Sequence, residues 1–148
     1  MPDTQVSSGS RRMLWAGYIL SALPILGLLM SAVFKFMNPP DVVKEFVRLG
    51  YTESHALGLG ILEVACTVLY LLPQTSVFGA ILLTGYLGGA TATHVRIDDP
   101  LSNLMPPIVM GVLVWLGLYL REPRLRALIP LRSRAESAKL DSPGRKPR

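Results

Sequence analysis

MLWAGYILSALPILGLLMSAVF, residues 13–34, runs for twenty-two residues without a charged side chain. A helix rises 1.5 Å per residue, and roughly 17–25 apolar residues carry it across the hydrocarbon core of a bilayer. A cleaved signal core is shorter, about 7–15 apolar residues ahead of small-residue cleavage positions. This stretch instead ends in Phe34-Lys35-Phe36, so it reads as a retained membrane helix. Three further apolar stretches lie downstream. Ala56–Leu72 holds one charge, Glu63; Val77–Val95 holds His94; Leu104–Leu120 is uncharged and starts around Pro106-Pro107. No segment shows the ten-residue alternation of a membrane barrel. The fold class is therefore all-α, a four-transmembrane-helix bundle.

Composition agrees with that reading. Of 148 residues only 17% are charged, where a soluble domain carries about a quarter, and the mean hydropathy is +0.40. Both an ordinary soluble enzyme domain and a disordered chain are excluded. The net charge of +5 does not mark a nucleic-acid binder. Nine of the fifteen basic residues crowd into residues 121–148, with no groove-reading motif beside them. The chain divides into a polar tail (1–12), a membrane domain (13–130) and a basic tail (131–148), polar and Pro-containing enough to be read as disordered.

Basic residues also set an orientation. Eleven lie in residues 1–12 and 121–148, against Lys35, Lys44, Arg48 and Arg96 at the opposite ends of the helices. By the positive-inside rule both termini are expected in the cytoplasm. Trp15, Tyr70, Trp115 and Tyr119 fall near the same ends and read as an interfacial belt. The run Arg121–Arg126 reads as an anchor for anionic membrane lipid.

In the first outer loop, Asn38-Pro39-Pro40-Asp41 stops one helix and starts another, with Asp41 as the expected N-cap. Val42, Val43, Phe46 and Val47 then share one face, while Lys44, Glu45 and Arg48 point away. Residues 41–49 read as a short amphipathic helix closed by Gly50. In the third segment Gly85 and Gly89, with Gly88 and Ala92 one step on, form a small-residue stripe of the kind that lets helices approach closely in lipid. The expectation is packing inside the bundle, with a homo-oligomer contact as the alternative. Pro24, followed by Gly27, is a candidate kink in the first segment.

Chemistry, if present, sits with the ionisable groups inside the membrane. Glu63 lies some seven residues from its segment end, about 10 Å deep. A charge there is costly and ordinarily faces a partner in the bundle interior. Gly60, Glu63, Thr67 and Tyr70 advance by three or four and form a small, polar stripe. Lys35, His94 and Arg96 close helices at the same end, and Thr91 lies one turn below His94. The expected cluster joins Glu63 to His94 and to Lys35 or Arg96, in a pocket that binds a head group or passes a proton; an ion pair that only fixes helix register is the competing reading.

Other signals point away from common chemistries. Cys66 is the sole cysteine, so the chain has no dithiol redox centre. No metal-ligand spacing, phosphate loop or nucleophile elbow is present. Haem on His55 and His94 is disfavoured, because the helix start Thr52-Glu53-Ser54-His55 accounts for His55 as a polar cap.

The four short helices, Phe34-Lys35-Phe36, Leu49-Gly50-Tyr51, LGILE (59–63) and GYLGGATATHVR (85–96) together resemble the DoxX-like family of small bacterial membrane proteins, over about residues 13–130. The resemblance implies a four-helix bundle with polar positions at Lys35, Glu63 and His94, in a bacterial inner membrane. Relatives are tied to quinone-linked sulfur oxidation and to membrane complexes that handle oxidative stress, and more distant ones to assembly of other membrane proteins. It thus brings in a quinone as the cofactor class, and another membrane protein or redox subunit as partner. Two functions follow as expectations. One is an accessory subunit holding a lipid, a quinone or a partner helix around Glu63. The other is the membrane part of a quinone-linked oxidoreductase, with Glu63 and His94 handling protons.

Overall fold

The computed structural model describes residues 8–128, and all their regular structure is helical. Six helices follow in chain order: α1 (Ser8–Met37), α2 (Pro40–Arg48), α3 (Ser54–Leu71), α4 (Ser76–Arg96), α5 (Leu101–Arg121) and α6 (Pro123–Leu128). α1, α3, α4 and α5 are long and apolar enough to cross a membrane. The chain is a multi-pass membrane protein. The C-terminal tail (131–148) and the first seven residues lie outside the described residues, and the expectations about them with it.

The α2 segment joins α1 to α3, short loops join α3 to α4 and α4 to α5, and successive spanning helices run antiparallel. α1 lies against α3 and α5, and α4 completes the ring by lying against the same two. Leu28, Cys66, Tyr70, Leu83, Leu87, Val114 and Leu118 meet on the inside. Trp15, Ile19, Leu26, Met30, Ile61 and Phe78 are exposed on the outside, as an apolar solvent requires.

Close packing concentrates at the end of the bundle near the termini. A Cβ on Gly17 would stand 2.8 Å from the Arg121 backbone nitrogen and 3.0 Å from the Gly117 carbonyl oxygen. One on Gly117 would meet the Ser21 backbone, and one on Gly79 would overlap the backbone at Leu69 and Tyr70. Tyr70 is fully buried there and does not join an interfacial belt. Its hydroxyl donates to the Val114 carbonyl (2.9 Å) and accepts from Ser21 Oγ (2.9 Å). The Arg121 guanidinium lies 4.4 Å from its ring centroid and donates to its carbonyl oxygen at 2.8 Å. α6 folds back beneath this end with Leu125 in the core, a helix too short to show as an apolar run.

Local starts and stops differ from expectation in two places. Pro39, not Asp41, is the N-cap of α2; Pro40 takes the first helical position, and no side chain caps the helix. Its fixed φ and missing N–H suit that position, so no oxygen cap is required. α5 begins at Leu101, which places Pro106 and Pro107 inside the helix instead of at its start. α1 likewise continues through the buried Pro24.

Candidate functional site

At the opposite, α2 end, the antiparallel α1 and α3 bring Lys35 and Glu63 to one depth. Lys35 Nζ donates to Glu63 Oε2 at 2.8 Å and also to Ser31 Oγ, one turn back on its own helix. The pair is shielded: the Glu63 side chain is 2% exposed and that of Lys35 14%. Isolated charge at this depth is expensive, whereas a hydrogen-bonded pair offsets much of its own desolvation. The Tyr86 phenol from α4 neighbours the Glu63 carboxylate. Thr67 does not serve the pair, since its hydroxyl donates to the Glu63 carbonyl oxygen of its own helix (2.7 Å).

Beside the pair opens a cavity of about 600 Å³ between α3 and α4. Its walls are mostly apolar: Leu59, Leu62 and Cys66 from α3, Ile81 and Leu82 from α4. Phe46 of α2, with Leu49 and Tyr51, forms the roof. The polar groups at its rim are Lys35, Tyr86, Thr93 and His94. Tyr51 donates to Thr93 Oγ1 (3.0 Å), whose own proton goes to the Gly89 carbonyl oxygen (2.9 Å). An apolar chamber with a few converging polar groups is the usual form of a small-molecule site.

The expected union of Glu63 with His94 or Arg96 does not form. His94 Nδ1 donates to Asp99 Oδ2, in the loop just past α4, where Asp98 takes a positive φ of 52° and turns the chain back. Arg48 clasps the same carboxylate with two bonds, 2.6 and 2.9 Å, and also holds Glu45. Glu45 and Arg48 stay partly exposed on the outer side of α2, from which Arg48 reaches the α4–α5 loop. Arg48, and then His94, hold the Asp99 carboxyl well below the usual carboxylate range. The hydrogen bond from Arg48 lowers Glu45 too. Arg96 donates to the Leu49 carbonyl oxygen and lies over Gly50, whose φ of 81° and open side leave room for it. Together these contacts strap α2 across the cavity roof. Glu45, His94 and Asp99 present donor atoms within 4.8 Å of one another, but the Arg48 guanidinium already supplies the positive charge between the two carboxylates. His55 accepts from the Thr52 main-chain N–H and packs near Tyr51, within its own helix start.

The small-residue stripe also lies otherwise than expected. A Cβ on Gly85, Gly88 or Gly89 would meet nothing within 4 Å among the described residues. Gly85 and Gly89 line the cavity, while Gly88, Thr91 and Ala92 line a groove on the other face of α4. The Thr91 hydroxyl bonds back to the Leu87 carbonyl oxygen at 2.9 Å. Sequence reasoning also missed Asp99 and Arg48: each belongs to the site only because a loop folds back over the bundle end.

The model of the DoxX-like family matches residues 19–117, which contain every spanning helix but the first turns of α1 and the end of α5. The chain belongs to the DoxX-like family. No curated protein matches it, and no solved structure does.

Proposed function

We propose that the chain is an accessory membrane subunit that holds a neutral, oxygen-bearing amphiphile, a membrane quinone, in the cavity between α3 and α4. The observation that carries this reading is Lys35, held by the buried Glu63, lining an apolar chamber of about 600 Å³. An ammonium has three N–H donors, and two are taken by Ser31 and Glu63. The third is free for a ligand acceptor. Because the pair is already neutral overall, a charged head group would leave a net charge in a low-dielectric site, whereas a quinone carbonyl would not. An apolar ring and tail suit Leu59, Leu62, Ile81 and Leu82.

A second reading, the membrane part of a quinone-linked oxidoreductase, is favoured by His94. Its ring lines the same cavity as Lys35 while Asp99 holds Nδ1, an arrangement that fixes ring orientation and tautomer. His94 at the cavity wall and Glu63 behind Lys35 would then hold protons, with electrons supplied by a partner redox subunit.

Solvent extraction of protein purified from membranes, followed by mass spectrometry, tests the proposal. A quinone recovered near one per chain, and lost in Gly89→Leu, is the expected result. Equal traces in both proteins would count against it. Quinone-dependent electron transfer that fails in His94→Gln, with quinone still bound, would favour the second reading.

A further inference from the structure

We propose a second binding site on the chain: the groove between α4 and α5 holds a phospholipid with an anionic head group, one acyl chain along the groove and the phosphate on Arg96. The groove is an open depression with a volume of about 1010 Å³, on the face of α4 opposite the quinone cavity. Gly88 and Ala92 of α4 and Gly111 of α5 put no bulk into it, and Ile108, Val112 and Leu116 line its α5 wall.

Its two ends differ in chemistry. Trp115, whose indole donates to Thr84 Oγ1 at 2.8 Å, closes one end, and Arg96 stands at the other. From Thr84 to Arg96 the helix rises about 18 Å, close to half of a hydrocarbon core about 30 Å thick. The groove therefore has the reach of one leaflet, with its cation where α4 leaves the membrane. Arg96 is exposed and gives a single identified hydrogen bond, to the Leu49 carbonyl oxygen, leaving most of its five N–H donors outward. Among the described residues no carboxylate is in ion-pair reach of it: Asp99 is taken by Arg48 and His94. An unneutralised guanidinium at the mouth of an apolar groove one leaflet deep is complementary to an anionic phospholipid, through both its charge and its bidentate fit to phosphate.

Native mass spectrometry of the full chain in detergent, with phosphatidylglycerol or phosphatidylcholine added, tests the assignment. One phosphatidylglycerol should be retained, about fivefold better than phosphatidylcholine, the ratio set by about 1 kcal/mol for one basic residue at a membrane surface. Arg96→Gln should reduce that preference to near unity. Gly88→Leu, placed where a new side chain meets open space, should lower retention of both lipids. Gly89→Leu on the opposite face should change neither. Equal retention of the two lipids, or retention indifferent to both Arg96→Gln and Gly88→Leu, would overturn the assignment. A homodimer that Gly88→Leu splits while lipid retention stays the same would make a second copy the occupant and overturn it too.

Discussion

The terminal end of the bundle and the outer half of α4 use glycine for opposite purposes. Near the termini, Gly17, Gly79 and Gly117 sit where the next helix's backbone leaves no room for a Cβ. Near α2, Gly85, Gly88 and Gly89 face open space, and the helices stand apart around a cavity and a groove. Polar groups divide the same way. Tyr70, Ser21 and Val114 close a buried knot at the tight end, while Lys35 and His94 look onto the chamber at the open one. A glycine in a membrane helix thus promises a small surface, and the neighbouring helix decides whether that surface becomes a contact or a space.

Several substitutions can break or sharpen this contrast. The largest effect is expected at the ion pair. Glu63→Gln or Lys35→Met leaves one buried charge unmatched and should cost about 3–5 kcal/mol of stability in detergent, with most of it recovered in the double variant Lys35→Met, Glu63→Leu. Singles costing less than about 1 kcal/mol would mean that water, not protein, surrounds the pair. Next, Gly117→Ala should cost about 1–3 kcal/mol through overpacking against Ser21, whereas Gly89→Ala should stay within about 0.5 kcal/mol. Similar costs at the two positions would abolish the contrast. Smaller again, Tyr70→Phe should lose about 1 kcal/mol with its buried hydrogen bond, and Tyr51→Phe at the open end less.

The smallest expected effect is the pH response of the α2 strap. The Asp99 carboxyl is lowered by Arg48 and then His94, with Glu45 on the other side of the same guanidinium, so the strap's contribution is fully present above the ordinary carboxyl value of 3.8. It is lost only as pH falls below that value toward the depressed folded one. Amide protection factors in α2, with the intrinsic pH dependence of exchange divided out, should therefore be insensitive to Asp99 between about pH 5 and 7. Arg48→Gln should speed that exchange throughout this range; unchanged protection would show that α2 is held by Phe46 packing alone.

Much of this arrangement is legible in the sequence, for definite reasons. Charge-free runs of helix length give the four spanning helices, and the 3.6-residue period turns Gly60, Glu63, Thr67 and Tyr70 to one buried side. Depth along antiparallel helices then brings Lys35 to Glu63. Azimuth is harder. Lys35, His94 and Arg96 share one end, but which side each faces depends on how the helices are arranged around the ring. Asp99 captures His94 only because Asp98 reverses the chain, and Arg96 reaches Leu49 because Gly50 leaves space. Tyr70 satisfies two sequence readings at once, belt and buried stripe; burial decides for the stripe. The glycine spacing of α4 carries no information about whether another helix arrives to meet it.

The most direct measurement titrates a short-chain quinone, decylubiquinone, into the wild-type chain and into Gly89→Leu and Gly88→Leu, following quenching of intrinsic fluorescence in detergent. These two substitutions are neighbours on α4 that fill opposite faces, both in open space. The cavity reading expects saturable one-site binding in wild type, weakening of at least about tenfold in Gly89→Leu and no change in Gly88→Leu, a difference of about 1.4 kcal/mol or more between adjacent residues. Binding that is equal in all three proteins, or weakened only by Gly88→Leu, would contradict it.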